Sequence, residues 1–186
     1  MRPLALLSVV LLAAAPATAV AEWAPDPGDK VQVRASEVVR AFRDSVPRTA
    51  DYFDQAYGYA VFPSITRIGF GFGAAAGKGI VVTGDKVTGR TKYRQFTSGI
   101  QAGAKSFSMI IFFRDAEAQA DFQSGLIRFM GQGGLALGTL AANGTPGYND
   151  GVAVVTMTRF GLMGEFTVSG AKFVYEPLTE DSATGN

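Results

Sequence analysis

Between Tyr57 and Thr83 the chain reads YGYAVFPSITRIGFGFGAAAGKGIVVT, with Gly58, Gly69, Gly71, Gly73, Gly77 and Gly79 set among aromatic and β-branched residues. Glycine at this density disfavours an ordinary helix, at a cost of roughly 1 kcal/mol per interior glycine. The pattern is also too regular for a linker. Gly69, Gly71 and Gly73 alternate with Phe70 and Phe72. In a strand, a period of two puts the Phe rings on one face and bare backbone on the other. Glycine inside a strand marks a bend, a bulge or another group packed close to the backbone. The stretch therefore predicts strongly curved β-structure with a crowded face, in which Gly71 and Gly73 let another segment pack directly on the strand.

The remaining elements follow from local signals. Asp29 is a helix cap, and the helix it opens runs to about Ser45 and stops before Pro47. Val31, Ala35, Val38, Val39, Phe42 and Val46 form its apolar stripe, with Lys30, Arg34, Arg40 and Arg43 on the other side among Glu37 and Asp44. A second short helix is expected over Thr49–Gln55, and a third after Asp115 through Phe122. Strands are expected near Tyr59–Phe62, Arg67–Ala76, Gly79–Thr83, Thr91–Phe96, Gln101–Ala104, Ser108–Phe113, Val152–Thr158, Gly164–Val168 and Ala171–Tyr175. Gly84-Asp85-Lys86 and Thr88-Gly89 read as turns, and Ala142 to Gly151 as a loop. The fold class is α+β: one domain, a curved antiparallel sheet of many short Gly-rich strands, an N-terminal amphipathic helix and one or two further short helices.

Residues 1–21 have the form of a cleavable signal peptide, with Arg2, an apolar run from Leu4 to Ala15 and small-x-small sites at Ala17-Thr18-Ala19 and Ala19-Val20-Ala21. The run is shorter than the ~20 residues of a membrane-spanning helix. Residues 22–28 are a Pro-rich extended lead-in, 29–177 the domain, and 178–186 a polar tail. The expected location is periplasmic or secreted. With no Cys in the chain, neither a lipidated cysteine nor a disulfide framework is available.

The chemistry-bearing inventory is short. There is no His and no Cys, which removes Ser-His-Asp triads, thiol nucleophiles and the usual zinc sets. Lys105-Ser106 invite a Ser-Lys pair, but adjacent residues on a strand point to opposite faces, so they make no local dyad. Gly71-Phe72-Gly73-Ala74-Ala75-Ala76 has dinucleotide-fingerprint spacing but does not open a helix. Gly77-Lys78-Gly79 is a candidate backbone-lined anion site. No catalytic residue, metal site or cofactor is expected. The chain carries 17 Lys+Arg against 16 Asp+Glu, and that balance argues against a nucleic-acid partner.

The order aromatic-Pro-Ser, short spacer, G-F-G-x-G, small residues, G-x-G, apolar run resembles the SYLF lipid-binding domain family, which includes yeast actin-patch proteins. Gly103-Ala104-Lys105-Ser106-Phe107 before the run Met109–Phe113, and Gly161-Leu162-Met163-Gly164 before Val168-Ser169-Gly170-Ala171-Lys172, fit the same pattern. The similarity covers about Lys30 to Glu176. It implies a non-enzymatic lipid-binding module, since eukaryotic members bind phosphoinositides, and an exported bacterial-type member would meet anionic phospholipids of the envelope. Export argues against actin as a partner.

The family motifs do not fix membrane-contacting residues one by one, so the candidates come from charge geometry: Lys30, Arg34, Arg40 and Arg43 on the first helix, Lys78, and the strip Arg90, Lys92 and Arg94. Lys92 and Arg94 share a strand face by their spacing. Two uses remain open for these cations: a solvated, edge-protecting surface or a headgroup-binding strip. The alternative function is a small outer-membrane β-barrel or a structural envelope protein. The predicted strands, several of them shorter than the ~9–11 residues of a tilted span, weigh against a barrel.

Overall fold

The computed structural model describes residues 23–45, 48–125, 147–148, 150–158, 161–162 and 171–178. The predicted signal peptide, the expected strand at Gly164–Val168 and the tail beyond Leu178 lie outside them. Helix α1 spans Lys30–Ser45. Asp29 caps it as expected, its Oδ1 accepting from the Val31 and Gln32 amides at 2.8 and 3.3 Å. Ala35, Val39 and Phe42 are buried and Lys30, Arg34, Glu37, Arg40 and Asp44 exposed, the amphipathic division read from the sequence. Helix α2, Arg48–Gln55, is tied back to α1 by the Thr49 hydroxyl, which donates to the Phe42 carbonyl at 2.9 Å. The lead-in is more than an extended strap. Trp23 is 4% exposed and belongs to the core beneath α1, and the Asp29 amide closes a turn onto the Asp26 carbonyl.

The strand pattern departs from expectation in length. The first three predicted strands are one strand, β1, Gly58–Thr83, and the next three are β2, Lys86–Phe113. They pair antiparallel from Thr83↔Lys86 to Gly58↔Phe113 through the two-residue turn at Gly84-Asp85. Gly84 has φ 60° there, a conformation open to glycine. Thr88-Gly89, expected as a turn, lies inside β2. Apolar alternation on both sides of each glycine keeps the ladder continuous, so glycine bends the strand without ending it.

Straight, β1 would extend roughly 85 Å, far beyond the dimensions of a domain this size. The ribbon therefore folds back on itself. Its register shifts at Phe62/Ile65, Phe70/Phe72 and Val81/Val82, the local breaks by which long strands bend. The halves of β1 then meet. A Cβ on Gly58 would lie 2.7 Å from the Val82 carbonyl oxygen, and one on Gly77 would lie 2.9 Å from that of Ser64. At Gly79 it would overlap the Val61 carbonyl oxygen. The close approach predicted for Gly71 and Gly73 thus falls mainly on Gly77 and Gly79. Gly73 takes part at the bend, where its Cα is 3.0 Å from a Cβ built on Gly69. The side of Gly71 lies outside the described residues.

Strand β3, Val152–Thr158, pairs with the base of β2, and the short β4, Gly161–Leu162, pairs with β3. Strand β5, Ala171–Pro177, pairs with the other half of β2 from Gly89 to Gln95. All five strands thereby belong to a single curved antiparallel sheet built on the folded ribbon, and with the three helices the chain has the α+β class expected from its sequence. A core that includes Phe62, Tyr93, Phe113, Phe122 and Phe173 is completed by helix α3, Ala116–Ser124, which Asp115 caps. The second core lies under α1 and α2 and holds Trp23, Phe42, Tyr59, Val61, Ile80 and Phe112. Leu178 is anchored, its amide donating to the Thr88 carbonyl at 3.1 Å.

Two phenols make the fold alkali-sensitive. Burial pushes the Tyr148 hydroxyl up to about 12, helped by the neighbouring Tyr52, and burial raises Tyr93 against the opposing pull of Arg67. Both are neutral in the folded chain where an unfolded Tyr ionises near 10. Ionisation then favours the unfolded state, so stability should fall as pH rises above about 10. The urea midpoint is expected to drop between pH 9 and 11, and Tyr148→Phe to shrink that drop.

Candidate functional site

Neither β1 nor β2 contains an Asp or Glu, whereas together they carry seven cations: Arg67, Lys78, Lys86, Arg90, Lys92, Arg94 and Lys105. On a chain with formal net charge +1, every acid lies outside these two strands. The ribbon is thus cationic without an internal acid.

Register decides which cations meet. Lys78 stands opposite Lys92, and Arg94 is flanked by Ala76 on β1 and Lys172 on β5. Residues directly opposite share a face, so Lys78, Lys92, Arg94 and Lys172 form a patch on the outer side of the folded ribbon. Like charges in directly opposed positions are destabilising, and this face holds two such pairs. Glu176 offsets one of them through its ion pair with Lys92. Lys78, Arg94 and Lys172 are exposed and make no ion pair among the described residues. Arg90 continues the row, but Asp29 holds its guanidinium at 2.8 Å with a carboxylate 7% exposed. That contact joins the sheet strip to the start of α1, where Lys30 and Arg34 are exposed.

The other helix candidates are engaged within the fold. Arg43 is half-buried with its guanidinium 4.6 Å from the centre of the Phe53 ring, a cation–π contact that joins α1 to α2. Arg40 reaches back to the Ser36 carbonyl at 3.4 Å. Gly77-Lys78-Gly79 is extended strand with neither glycine at positive φ. It therefore lacks the alternating backbone of an anion nest, and its glycines face the other half of β1. Ser106 lies 3.2 Å from the Thr66 hydroxyl across the strand pair.

Sequence reasoning passed over Lys172, because strand register is invisible in a linear pattern. It also missed the use of the Phe-Gly alternation. Phe70 and Phe72 are 89% and 79% exposed at the bend, beside Phe96 at 79% and Ile68 at 58%. With Ala74, Gly69 and Gly73 they line an open apolar depression of about 450 Å³. Monomeric proteins scatter single exposed apolar residues, whereas a contiguous group of large ones marks an interaction surface. The outer face thus runs from aromatic at the bend to cationic behind it. Phe96 stands opposite Ala74, and the next pair on that face is Ala76 and Arg94.

Among the described residues there is no group of three His, Cys, Asp or Glu able to hold a metal ion. No helix of the described residues is long and apolar enough to cross a membrane. No family model matches the chain. Among curated proteins, the chain is similar to Beta cell expansion factor A of Aeromonas veronii, with 30% identity over 149 residues. The match covers 78% of this chain and 56% of that protein, so the chain spans little more than half the length of the relative.

Proposed function

We propose that this chain is a non-enzymatic protein of the cell envelope that binds anionic phospholipid surfaces. The observation that carries the reading is the acid-free ribbon whose outer face gathers Lys78, Arg94 and Lys172. Each cation close to an anionic leaflet contributes roughly 1 kcal/mol. Three give weak, salt-sensitive recruitment. On a chain with so little net charge the attraction is local and decays over about 8 Å at physiological salt. The resemblance of the Tyr57–Thr83 block to the SYLF lipid-binding family supports the same class of ligand. The relative's name designates an effect on beta cells and specifies no lipid.

The test is sedimentation of the full exported chain with phosphatidylglycerol-containing vesicles and with phosphatidylcholine vesicles. Binding is expected only to the anionic set and should fall as salt rises. Changing Lys78, Arg94 and Lys172 together to Gln should weaken it by up to ~100-fold with an unchanged melting temperature. On the helix side the variant is Lys30→Gln with Arg34→Gln, since altering Arg43 would disturb its contact with Phe53. Equal binding to neutral and anionic vesicles, or indifference to both sets of substitutions, would overturn the headgroup mechanism.

The rival reading, a small outer-membrane barrel, loses the argument from short strands, because β1 and β2 are long. A different observation opposes it. A barrel wall turns apolar side chains to lipid along its midsection. Here α1 and α2 cover one stretch of the sheet, and another stretch presents Lys78, Lys92, Arg94 and Lys172.

A further inference from the structure

We infer that the bend of the folded ribbon is a membrane-inserting wedge, with Phe70, Phe72 and Phe96 entering the acyl boundary of an anionic bilayer. This deepens the lipid-surface reading and rests on it. The occupant is argued from charge and spacing. The row of cations behind the apolar cluster matches an anionic leaflet, which offers an apolar layer and a negative layer in that order.

The spacing matches that order. Arg94 is two residues behind Phe96 on the same face, with Lys172 opposite it, and Lys78 and Lys92 lie two residues further back. At about 3.4 Å per residue Arg94 trails Phe96 by ~7 Å and trails Phe72, which is paired with Ser98, by ~14 Å. Interfacial segments bury their apolar face by about 5–10 Å. Phe96 at the acyl boundary therefore places Arg94 and Lys172 at the phosphates and sends Phe72 and Phe70 ahead of it into the apolar layer, with no acidic side chain in either ribbon strand to repel the cations.

The paired ladder runs through both flanks of the bend, with its break between Phe70↔Ala102 and Phe72↔Ser98, and the two flanks of β1 meet closely at Gly77 and Gly79. The exposed rings thus stand at a corner whose flanks are already ordered by pairing, which limits the ordering cost of insertion.

The absence of native Cys permits a clean test. Phe72→Cys and Ala76→Cys, each labelled with the environment-sensitive dye NBD, are mixed with phosphatidylglycerol/phosphatidylcholine vesicles whose acyl chains carry nitroxide quenchers. Both positions are exposed, so the labels leave the core untouched. The dye at position 72 is expected to shift to the blue and be quenched several-fold more strongly than the dye at 76. In unlabelled protein, Phe70→Ser with Phe72→Ser and Phe96→Ser should lower vesicle affinity roughly 100-fold and keep its salt dependence, whereas the Lys78/Arg94/Lys172 substitutions should weaken binding as stated above and remove the salt dependence.

If the chain sediments with anionic vesicles while the dye at 72 stays in water, the wedge is wrong and the headgroup reading survives. If it binds no vesicle, both are wrong. A blue shift without vesicles, accompanied by a doubled mass in solution, assigns the corner to contact between copies of the chain and overturns the wedge.

Discussion

Gly79→Val is expected to destabilise the domain by about 3 kcal/mol or more, enough to leave much of the population unfolded. The first atom added at this position overlaps the Val61 carbonyl oxygen, and it lies 2.8 Å from Cδ1 of the Phe62 ring. A flexible side chain could swing aside, but a carbonyl within a paired strand cannot move without breaking the ladder. The collision also pushes apart the two halves of β1, and with them the Phe62, Tyr93 and Phe173 rings packed in the core within the fold of the sheet. Urea unfolding followed by far-UV circular dichroism is the measurement. Gly147→Ala is the control, since among the described residues nothing lies within 4 Å of its added carbon, and it should move stability by less than about 0.5 kcal/mol. A Gly79→Val chain with the parent's midpoint would show that the halves of the ribbon do not touch there.

Phe112→Ala should cost about 3–5 kcal/mol. Phe112 is fully buried and is the ring on which α2 sits. Its centroid lies 5.1 Å from Tyr52, 4.9 Å from Phe53 and 6.1 Å from Tyr59. Truncation removes the common partner of all three rings and leaves a cavity that neighbouring backbone is too constrained to fill. The melting temperature should fall by roughly 10 °C or more. Phe112→Leu, which keeps most of the volume, should recover much of the loss. A fall of only a degree or two for the Ala variant would mean that α2 is held to the sheet by something else.

These two positions also mark what was legible in the sequence. The helix boundaries were readable because Asp29 and Asp115 cap locally and the α1 stripe has a period that only a helix satisfies. The short apolar, β-branched and aromatic runs at Met109–Phe113 and Val152–Thr158 identified strands from local composition. The merger of six short strands into two long ones was not readable, since glycine carries the same letter whether it ends a strand or bends it. Which glycines meet backbone is a property of the fold-back, decided by residues some twenty positions apart such as Val61 and Gly79. The candidate surface divides similarly. The Arg90/Lys92/Arg94 strip follows from period two alone. The addition of Lys172, the capture of Arg43 by Phe53 and the exposure of Phe70, Phe72 and Phe96 depend on pairing across the sheet and on where the ribbon turns.

The bend has one more consequence, for the chain's behaviour among its own copies. Among the described residues β1 lies at the end of the strand order. A straight apolar edge of 26 residues would be a long template for another chain to add to, and its sequence has the low charge and β-branched content on which fibrils grow. Three register breaks interrupt that edge, and Gly77 and Gly79 press one part of it against another. The edge is thereby divided into stretches of which Phe72–Val81 is the longest in continuous register. The glycines that shape the core thus also guard a chain rich in β-structure, and without disulfides, against assembling into fibres.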